Sequence, residues 1–303
     1  MKLAALNALV AAIDEGSLRA AARRLGVTQP ALTKMVRELE RELGATLLQR
    51  TTTGVSPTAQ GRILHARARA AAQELDEAVQ QIGQMGGRMV GELSIGAVPL
   101  ALLLLIPEAI RTYNSEFPAV MFQLREELYV GQLTLLRQRE VDVVVGPIPA
   151  TLPQGEFYVE ALMPIEMVVV VGKGNPLAQT RSLAQLADSR WVYTSLSGHT
   201  GYAHSLFEQH GLKPPAPAAV VNSTLGLITL ISHGDCVGLM PLPIALHPAA
   251  AQFMTVVPIS EGPLVLEVGV IVRAEVMVRP AVRQFVAHLH RAAQHIRTAT
   301  ATT

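Results

Sequence analysis

The sequence contains a single cysteine, Cys236, which excludes an intrachain disulfide framework, a Cys₂ or Cys₄ metal site and a thiol–disulfide switch within one chain. Its setting in the apolar run Cys236–Met240 reads as an inert buried thiol. Aromatics are scarce at 4%, so a binding cleft has few rings to draw on, and charged residues make up only 16%. Long apolar runs are missing too: Ala97–Pro107, the longest after the first helix, falls far short of the roughly 20 residues that cross a bilayer. The start, Met1-Lys2 followed by Leu3–Ile13, mimics a secretory leader, but Asn7 interrupts it and Asp14-Glu15 close it without a cleavage site. It reads as a folded helix of a cytoplasmic protein that does not enter membranes.

Catalytic signatures are also lacking. There is no HExxH, GxSxG, P-loop or GxGxxG motif. His288, His290 and His295 share a predicted helix, with the first two on opposing sides, which argues against a metal site. His199 beside Ser197 has no acidic residue nearby in sequence and fits an effector contact or a structural hydrogen bond better than nucleophilic catalysis. The expectation is a protein that is not an enzyme, with no cofactor and no metal.

What is present is an apolar half of the composition, enough for two or three domains over 303 residues. The net charge of +1 conceals an asymmetry. Residues 1–90 carry twelve Lys/Arg against eight Asp/Glu, and the rest carries thirteen against sixteen. Ser17–Arg37 holds Arg19, Arg23, Arg24, Lys34 and Arg37 without an acid, and Leu43–Gln73 holds Arg50, Arg62, Arg67 and Arg69 likewise. A basic end on a mildly acidic body is the distribution of a chain whose one end meets a polyanion, although a solvated Arg-rich helix face gives the same counts.

The pattern within that end is specific. Leu3, Leu6, Leu9, Val10 and Ile13 form a helical stripe, Gly16 ends it, and Ser17 caps a short helix over 18–25 with Leu18, Ala21, Ala22 and Leu25 on one face. Gly26-Val27 is a tight turn. Thr28 caps a third helix with Pro30 near its start and Leu32, Val36, Leu39 and Leu43 inward, running to about Leu43. Two short helices joined by a glycine turn, the second polar and basic, form a helix-turn-helix. Thr28, Gln29, Thr33, Lys34 and Arg37 sit on the exposed start of the third helix. There glutamine can pair with adenine edges, arginine and lysine with guanine or phosphate, and threonine with phosphate. Segments flanking Thr53-Gly54 suggest a β-wing with Arg50 at its base.

Gly16-Ser17-Leu18, Ala21-Ala22, Leu25, Thr28–Thr33, Leu39-Glu40, Leu43-Gly44, Leu47-Leu48, Arg50, Thr58 and Gly61 together resemble the signature of LysR-type transcriptional regulators over some sixty residues without a gap. Departures are mild: Thr28 and Thr33 stand where serine is commoner, Leu48 where phenylalanine is, and Pro57 where leucine is. The resemblance implies that Gln29, Pro30, Thr33, Lys34, Arg37 and Arg50 approach double-stranded DNA, with Ser17 and Arg19 beside them in the basic run.

Thr58 caps a long helix over about 59–84. Leu64, Ala68, Ala71, Leu75, Ala78, Ile82 and Met85 follow steps of four and three, the seam of a two-stranded coiled coil or the face of a helix packed on its own domain. Gly83, Gly86, Gly87 and Gly91 then mark a domain boundary. Beyond it, strand patterns at Glu92–Ala97, Met121–Glu126, Val141–Gly146, Glu166–Val171, Trp191–Thr194, Ala218–Asn222, Val237–Met240 and Leu266–Val272 alternate with helical patterns at Leu102–Ser115, Val130–Arg139, Tyr202–His210, Thr224–His233 and Arg279–Arg297. The unbroken runs Val141–Val145 and Met167–Val171 predict strands buried on both faces of a parallel α/β sheet.

The fold expected is therefore multi-domain: an all-α winged helix-turn-helix (1–58), a linker and dimerisation helix (59–87) and an α/β body. The resemblance makes the body similar to a periplasmic binding protein, with two Rossmann-like lobes, 92–161 plus 267–303 and 162–266, whose crossovers lie near Pro164 and Pro263. An effector belongs between lobes, at strand C-termini and helix N-termini. That selects Val98, Pro99 and Leu100, then Tyr129 and Val130, then Pro147 with Ile148. In the second lobe it selects Ser195, Leu196, Ser197, Gly198, Thr200 and Asn222 with Ser223. Hydroxyls and free N–H groups suit a small organic anion, and the apolar members suit a flat aromatic acid such as a sulfonate or carboxylate. The resemblance further implies a dimer of dimers acting with RNA polymerase. The competing reading is a small-molecule binding protein or enzyme whose N-terminal helices serve only assembly.

Overall fold

A computed structural model describes residues 2–51, 54–84, 89–126, 129–149, 151–153, 155–194, 201–274 and 279–301. The chain divides into two compact units, Met1–Arg88 and Met89–Thr303, a division that falls within the Gly83–Gly91 stretch. Gly86 and Gly87 themselves, like Met85, lie outside the described residues.

The first unit is α1 (Leu3–Asp14), α2 (Leu18–Arg24), α3 (Gln29–Leu43), a hairpin of β1 (Leu48–Thr51) and β2 (Gly54–Pro57), and α4 (Ala59–Gln84). Side-chain caps set the starts. Ser17 accepts from Ala20 N at 3.3 Å, Thr28 from Ala31 N at 3.4 Å and Thr58 from Gly61 N at 3.0 Å. Leu6, Leu9, Ala21, Ala22, Leu32, Val36, Leu39, Leu47 and Ala68 form its core. Leu3, Leu25 and Leu43, expected inward, are instead exposed; burial along α3 ends at Leu39. The hairpin is tied down at both ends. Glu40 Oε1 accepts from Leu47 N and Leu48 N at 2.8 and 3.2 Å, and Val55 N donates to Gly16 O at 2.9 Å. Gly54 has φ of +153°, and a Cβ there would collide with the Gly16 carbonyl.

The predicted seam of α4 divides. Leu64 and Ala68 pack into the core of the first unit, whereas Ala71 is exposed and Leu75 is 51% exposed. The side chains of Ala78 and Ile82 lie outside the described set. His65 Nε2 lies 2.7 Å from Asp14 Oδ1 and joins α4 to the end of α1.

The second unit begins with β3 (Gly91–Ala97), α5 (Pro99–Leu104), α6 (Ile106–Glu116), β4 (Val120–Glu126), α7 (Tyr129–Arg137) and β5 (Val143–Pro147). It continues with β6 (Phe157–Gly172), two 3-10 turns, β7 (Arg190–Thr194), α8 (Tyr202–Gln209), β8 (Pro217–Val221), α9 (Thr224–His233) and β9 (Cys236–Pro241). It ends with α10 (Leu242–Leu246), α11 (Pro248–Ala251), β10 (Met254–Val256), β11 (Leu264–Arg273) and α12 (Pro280–Ala301). One sheet runs in the order β4-β3-β5-β11-β6-β9-β7-β8, with β10 paired to β6.

The sheet is mixed, which corrects the all-parallel expectation. Strands β3, β4 and β5 are parallel, and so are β7, β8 and β9, but β6 and β11 are antiparallel to every neighbour. Met167, Val169, Val170 and Val171 are thus buried near the end of a 16-residue antiparallel strand, with Val168 half-buried. Pro164 sits inside that strand, opposite Glu267, because β9 pairs only from Met167 onward and leaves the far edge open there. The helix expected over 102–115 is two helices, since Pro107 has no N–H to continue the first and starts the second instead. Most of the scarce rings go into packing. Tyr113, Phe117, Phe122 and Phe285 form one cluster, and Trp191, Tyr193 and Phe207 another.

His288 is fully buried between α6 and α12, against the Tyr113 ring. Its Nδ1 lies 2.8 Å from Thr112 Oγ1, and its Nε2 lies 3.6 Å from Glu116 Oε1. Burial holds its pKa below the usual histidine value, helped by Arg291 and opposed by Glu116. The unfolded chain therefore binds a proton that the folded chain refuses. The resulting stability is fully present above the unfolded pKa of about 6.5 and is lost as pH falls toward the folded value. Urea midpoints should drop between about pH 7.5 and pH 5.5 in the native chain and drop less in His288→Gln. Equal slopes would refute the assignment.

Candidate DNA-binding surface and effector cleft

The third helix presents a continuous polar stripe. Gln29, Pro30, Thr33, Lys34, Arg37, Glu38 and Arg41 line one open groove along α3. They recur at steps of three and four, so they share a face, opposite the buried Leu32, Val36 and Leu39. Local bonding decides what each hydroxyl can do. Thr33 Oγ1 donates to Gln29 O at 2.8 Å, so its proton is committed and it faces outward as an acceptor. Thr28 and Ser17 accept from backbone N–H groups as caps, which leaves each O–H able to donate to a phosphate. Lys34 Nζ stands 3.9 Å from Glu38 Oε1. Arg19 and Arg37 are exposed, and Ser17 is half-buried. Arg50 lies in β1 opposite Val55, and its side chain is outside the described set. Glu38 and Arg41 were missed by sequence reasoning, although their spacing from Lys34 and Arg37 places them on the same face.

In the second unit, the strand pairing brings two sets of strand ends toward one stretch of β6. Pro147, the last residue of β5, lies opposite Val268, which lies opposite Met163 of β6. Pro241, the last residue of β9, lies opposite Met167 of β6. β5 runs with β6 and β9 runs against it, so the two parallel sets point their carboxyl ends at each other. They are separated by the Met163–Met167 stretch, about 13 Å of strand. One face of this stretch is open to solvent, with Pro164, Glu166, Val265 and Glu267 exposed.

Among the described residues, Val98, Pro99, Leu100, Pro147, Ile148, Asn222 and Ser223 follow or end strands of this sheet. Val98 and Leu100 are 7% and 4% exposed, and their side chains belong to the main hydrophobic core. Val98 N is engaged by Val145 O at 3.1 Å, as strand pairing runs on past Ala97. Pro99, Pro147 and Ile148 are half-buried, and Asn222 and Ser223 are exposed. Ser223 caps α9 through Gly226 N at 3.3 Å and retains its O–H. Tyr129 and Val130 open α7, but their side chains lie outside the described set. Ser195, Leu196, Ser197, Gly198, His199 and Thr200 lie outside the described residues altogether. α10 starts at Leu242, directly at the end of β9, with Pro243 at its second position.

Among the described residues, no group of His, Cys, Asp and Glu is placed to hold a metal ion, and no helix is long and apolar enough to cross a membrane. His288 is buried, His290 pairs with Glu160 at 2.7 Å, and the His295 side chain is exposed.

Two family models match the chain. Residues 3–62 match the bacterial regulatory helix-turn-helix proteins of the lysR family, and residues 86–294 match the LysR substrate binding domain. The HTH-type transcriptional regulator TdcA of Escherichia coli K12 is 26% identical over 250 residues, 82% of this chain and 80% of TdcA. The crystal structure of CbnR, a LysR family transcriptional regulator, superposes with a TM-score of 0.73 at 22% identity, covering 97% of this chain and 99% of CbnR. Full-length CbnR complexed with its target DNA gives a TM-score of 0.73 at 21% identity, covering 96% of this chain and 100% of that one. At such identities the two structures are evidence for the fold alone.

Proposed function

The chain belongs to the LysR family of bacterial helix-turn-helix regulators, and from that premise we propose a transcriptional regulator that senses a small organic anion, an aromatic sulfonate or carboxylate. The observation that carries the effector reading is the opposition of two sets of strand carboxyl ends across Met163–Met167. Ligands of open α/β sheets bind at such ends. In this proposal the hydroxyl and amide groups of Ser195, Ser197, Thr200 and Asn222 hold the anion. Pro99, Tyr129, Val130 and Pro147 enclose its hydrocarbon part, with the backbone of Val98, Leu100, Leu196 and Gly198 completing the wall. The lobes are 92–161 with 267–303, and 162–266.

On the DNA side, the head (1–58) places α3 in the major groove, as the mixed polar and basic stripe supports. Ser17, Arg19, Thr28, Gln29, Pro30, Thr33, Lys34 and Arg37 contact the duplex, and the wing Arg50 meets the backbone or the minor groove. The linker segment (59–87) pairs two copies through the part of α4 that leaves its own core, where Ala71 and Leu75 are exposed. The bodies meet a second pair of copies through sheet edges that carry exposed Met121 and Leu124 on β4 and Val220 on β8, since apolar edge strands seek cover. The assembly is a dimer of dimers that acts on RNA polymerase in the cytoplasm. An effector that prefers one lobe arrangement shifts the spacing of the paired heads by its difference in affinity.

Two measurements test this. Salt-dependent retention of duplex DNA is expected, and its absence refutes the regulator reading. In a thermal-shift panel of aromatic sulfonates and carboxylates, a true effector at a hundred times its Kd adds about 2.7 kcal/mol of stability and raises the midpoint. A flat response to every acid removes the anion.

A further inference from the structure

The DNA-facing groove of α3 contains a residue that ought not to be there on electrostatic grounds. Among the described residues lining it, Lys34, Arg37 and Arg41 are cationic and Glu38 is a carboxylate. Its side chain is 48% exposed. A negative charge facing phosphates lowers affinity for every duplex sequence alike. Helix stability is a weak reason for it: the order of Lys34 and Glu38 is the less favourable one, and although Arg41 follows Glu38 by three residues, exposed pairs of this kind contribute little. Core packing does not explain it either, because the buried face is Leu32, Val36 and Leu39. In the major groove, however, a carboxylate has one good partner, the amino group of cytosine, to which it can only be an acceptor.

We propose that Glu38 is a specificity-determining residue that reads a cytosine in each half-site and, through Lys34, suppresses binding to unrelated DNA. This rests on the reading of α3 as the recognition helix. When cytosine is in place, its N4 amino group satisfies the carboxylate and Lys34 is released to a neighbouring phosphate or guanine. When another base stands there, Glu38 keeps Lys34 and repels the backbone.

The experiment uses the full-length chain and a duplex pool with a randomised core of about 30 base pairs, long enough for two half-sites. Native protein, Glu38→Gln and Glu42→Gln each enrich binders from it, and affinities are measured for enriched and unselected duplexes. Glu42 lies on the same helix outside the groove, so its variant makes the same charge change without the contact. Glu38→Gln is expected to move the preference at one position per half-site from cytosine to adenine, the base that glutamine pairs with. Discrimination for cytosine should fall about tenfold and unselected DNA should bind more tightly. Enrichment of the same sequences with the same discrimination by Glu38→Gln, or an equal shift by Glu42→Gln, overturns the proposal. If the native chain enriches nothing and shows no salt-dependent retention, the recognition-helix reading falls and this proposal with it.

Discussion

Asp142→Ala is expected to destabilise the second unit by about 3–5 kcal/mol. Asp142 and Arg279 are each 7% exposed and lie 2.7 Å apart. The carboxylate also accepts from Ser94 N at 2.9 Å, while Asp142 N donates to Ser94 O at 2.7 Å. One side chain therefore joins β3, the approach to β5 and the start of α12. Removing it takes the buried counter-charge away from the Arg279 guanidinium, and the desolvation cost of the cation loses the compensation this pair supplied. The pair itself need not contribute much net stability, since a well-packed apolar pair can do as well. Asp142→Leu with Arg279→Met should accordingly be less destabilised than Asp142→Ala alone. Urea unfolding of the native, single and double variants reads this directly from midpoints at constant slope. A single variant within about 1 kcal/mol of native would show that Arg279 has an adequate alternative and sink the argument.

The head was legible because its determinants are local. Ser17 and Thr28 cap their helices, Gly16 ends α1, and the apolar spacing of α3 repeats every turn, so each element could be placed from a window of a few residues. Leu43 marks the limit of that reasoning: it has the right spacing, but nothing in the sequence says where tertiary cover ends. The body was legible strand by strand and not in its direction. Val143–Val145 and Met167–Val171 look alike as valine-rich runs, yet one lies in a parallel set and the other in an antiparallel strand. Both pair antiparallel with β11, and the difference lies in the other neighbour: β5 runs parallel to β3, whereas β6 runs antiparallel to β9, about seventy residues further on in sequence. Pro164 lies within β6 on an edge that β9 leaves open, so a proline there does not interrupt the strand. The residues expected to meet an effector divide the same way. Loop position at strand ends followed from the strands, whereas the burial of Val98 and Leu100 depends on the packing of α5 into the main core.

Gln29→Ala combined with Arg37→Ala is expected to weaken specific DNA binding by about 2–6 kcal/mol, since a good base contact contributes about 1–3 kcal/mol. Both residues are exposed on the groove face of α3 and lie eight positions apart, about 12 Å along the axis, so their effects should add. Gln29 stands at the first helical position, and its backbone oxygen holds the Thr33 hydroxyl. Only its side chain is free to read a base, and Gln29→Ala leaves the backbone bond in place. Arg37 can serve a guanine or a phosphate, and the salt dependence separates the two. If it neutralises a phosphate, Arg37→Ala lowers the slope of log K against log salt by about 0.9; if it reads guanine, the slope is kept and discrimination at one position is lost. Neither side chain belongs to the core, so thermal unfolding should move by less than about 0.5 kcal/mol, and a loss of binding can be assigned to the contact rather than to the fold. Retention of DNA by the double variant at native strength would mean that α3 is not the element in the groove.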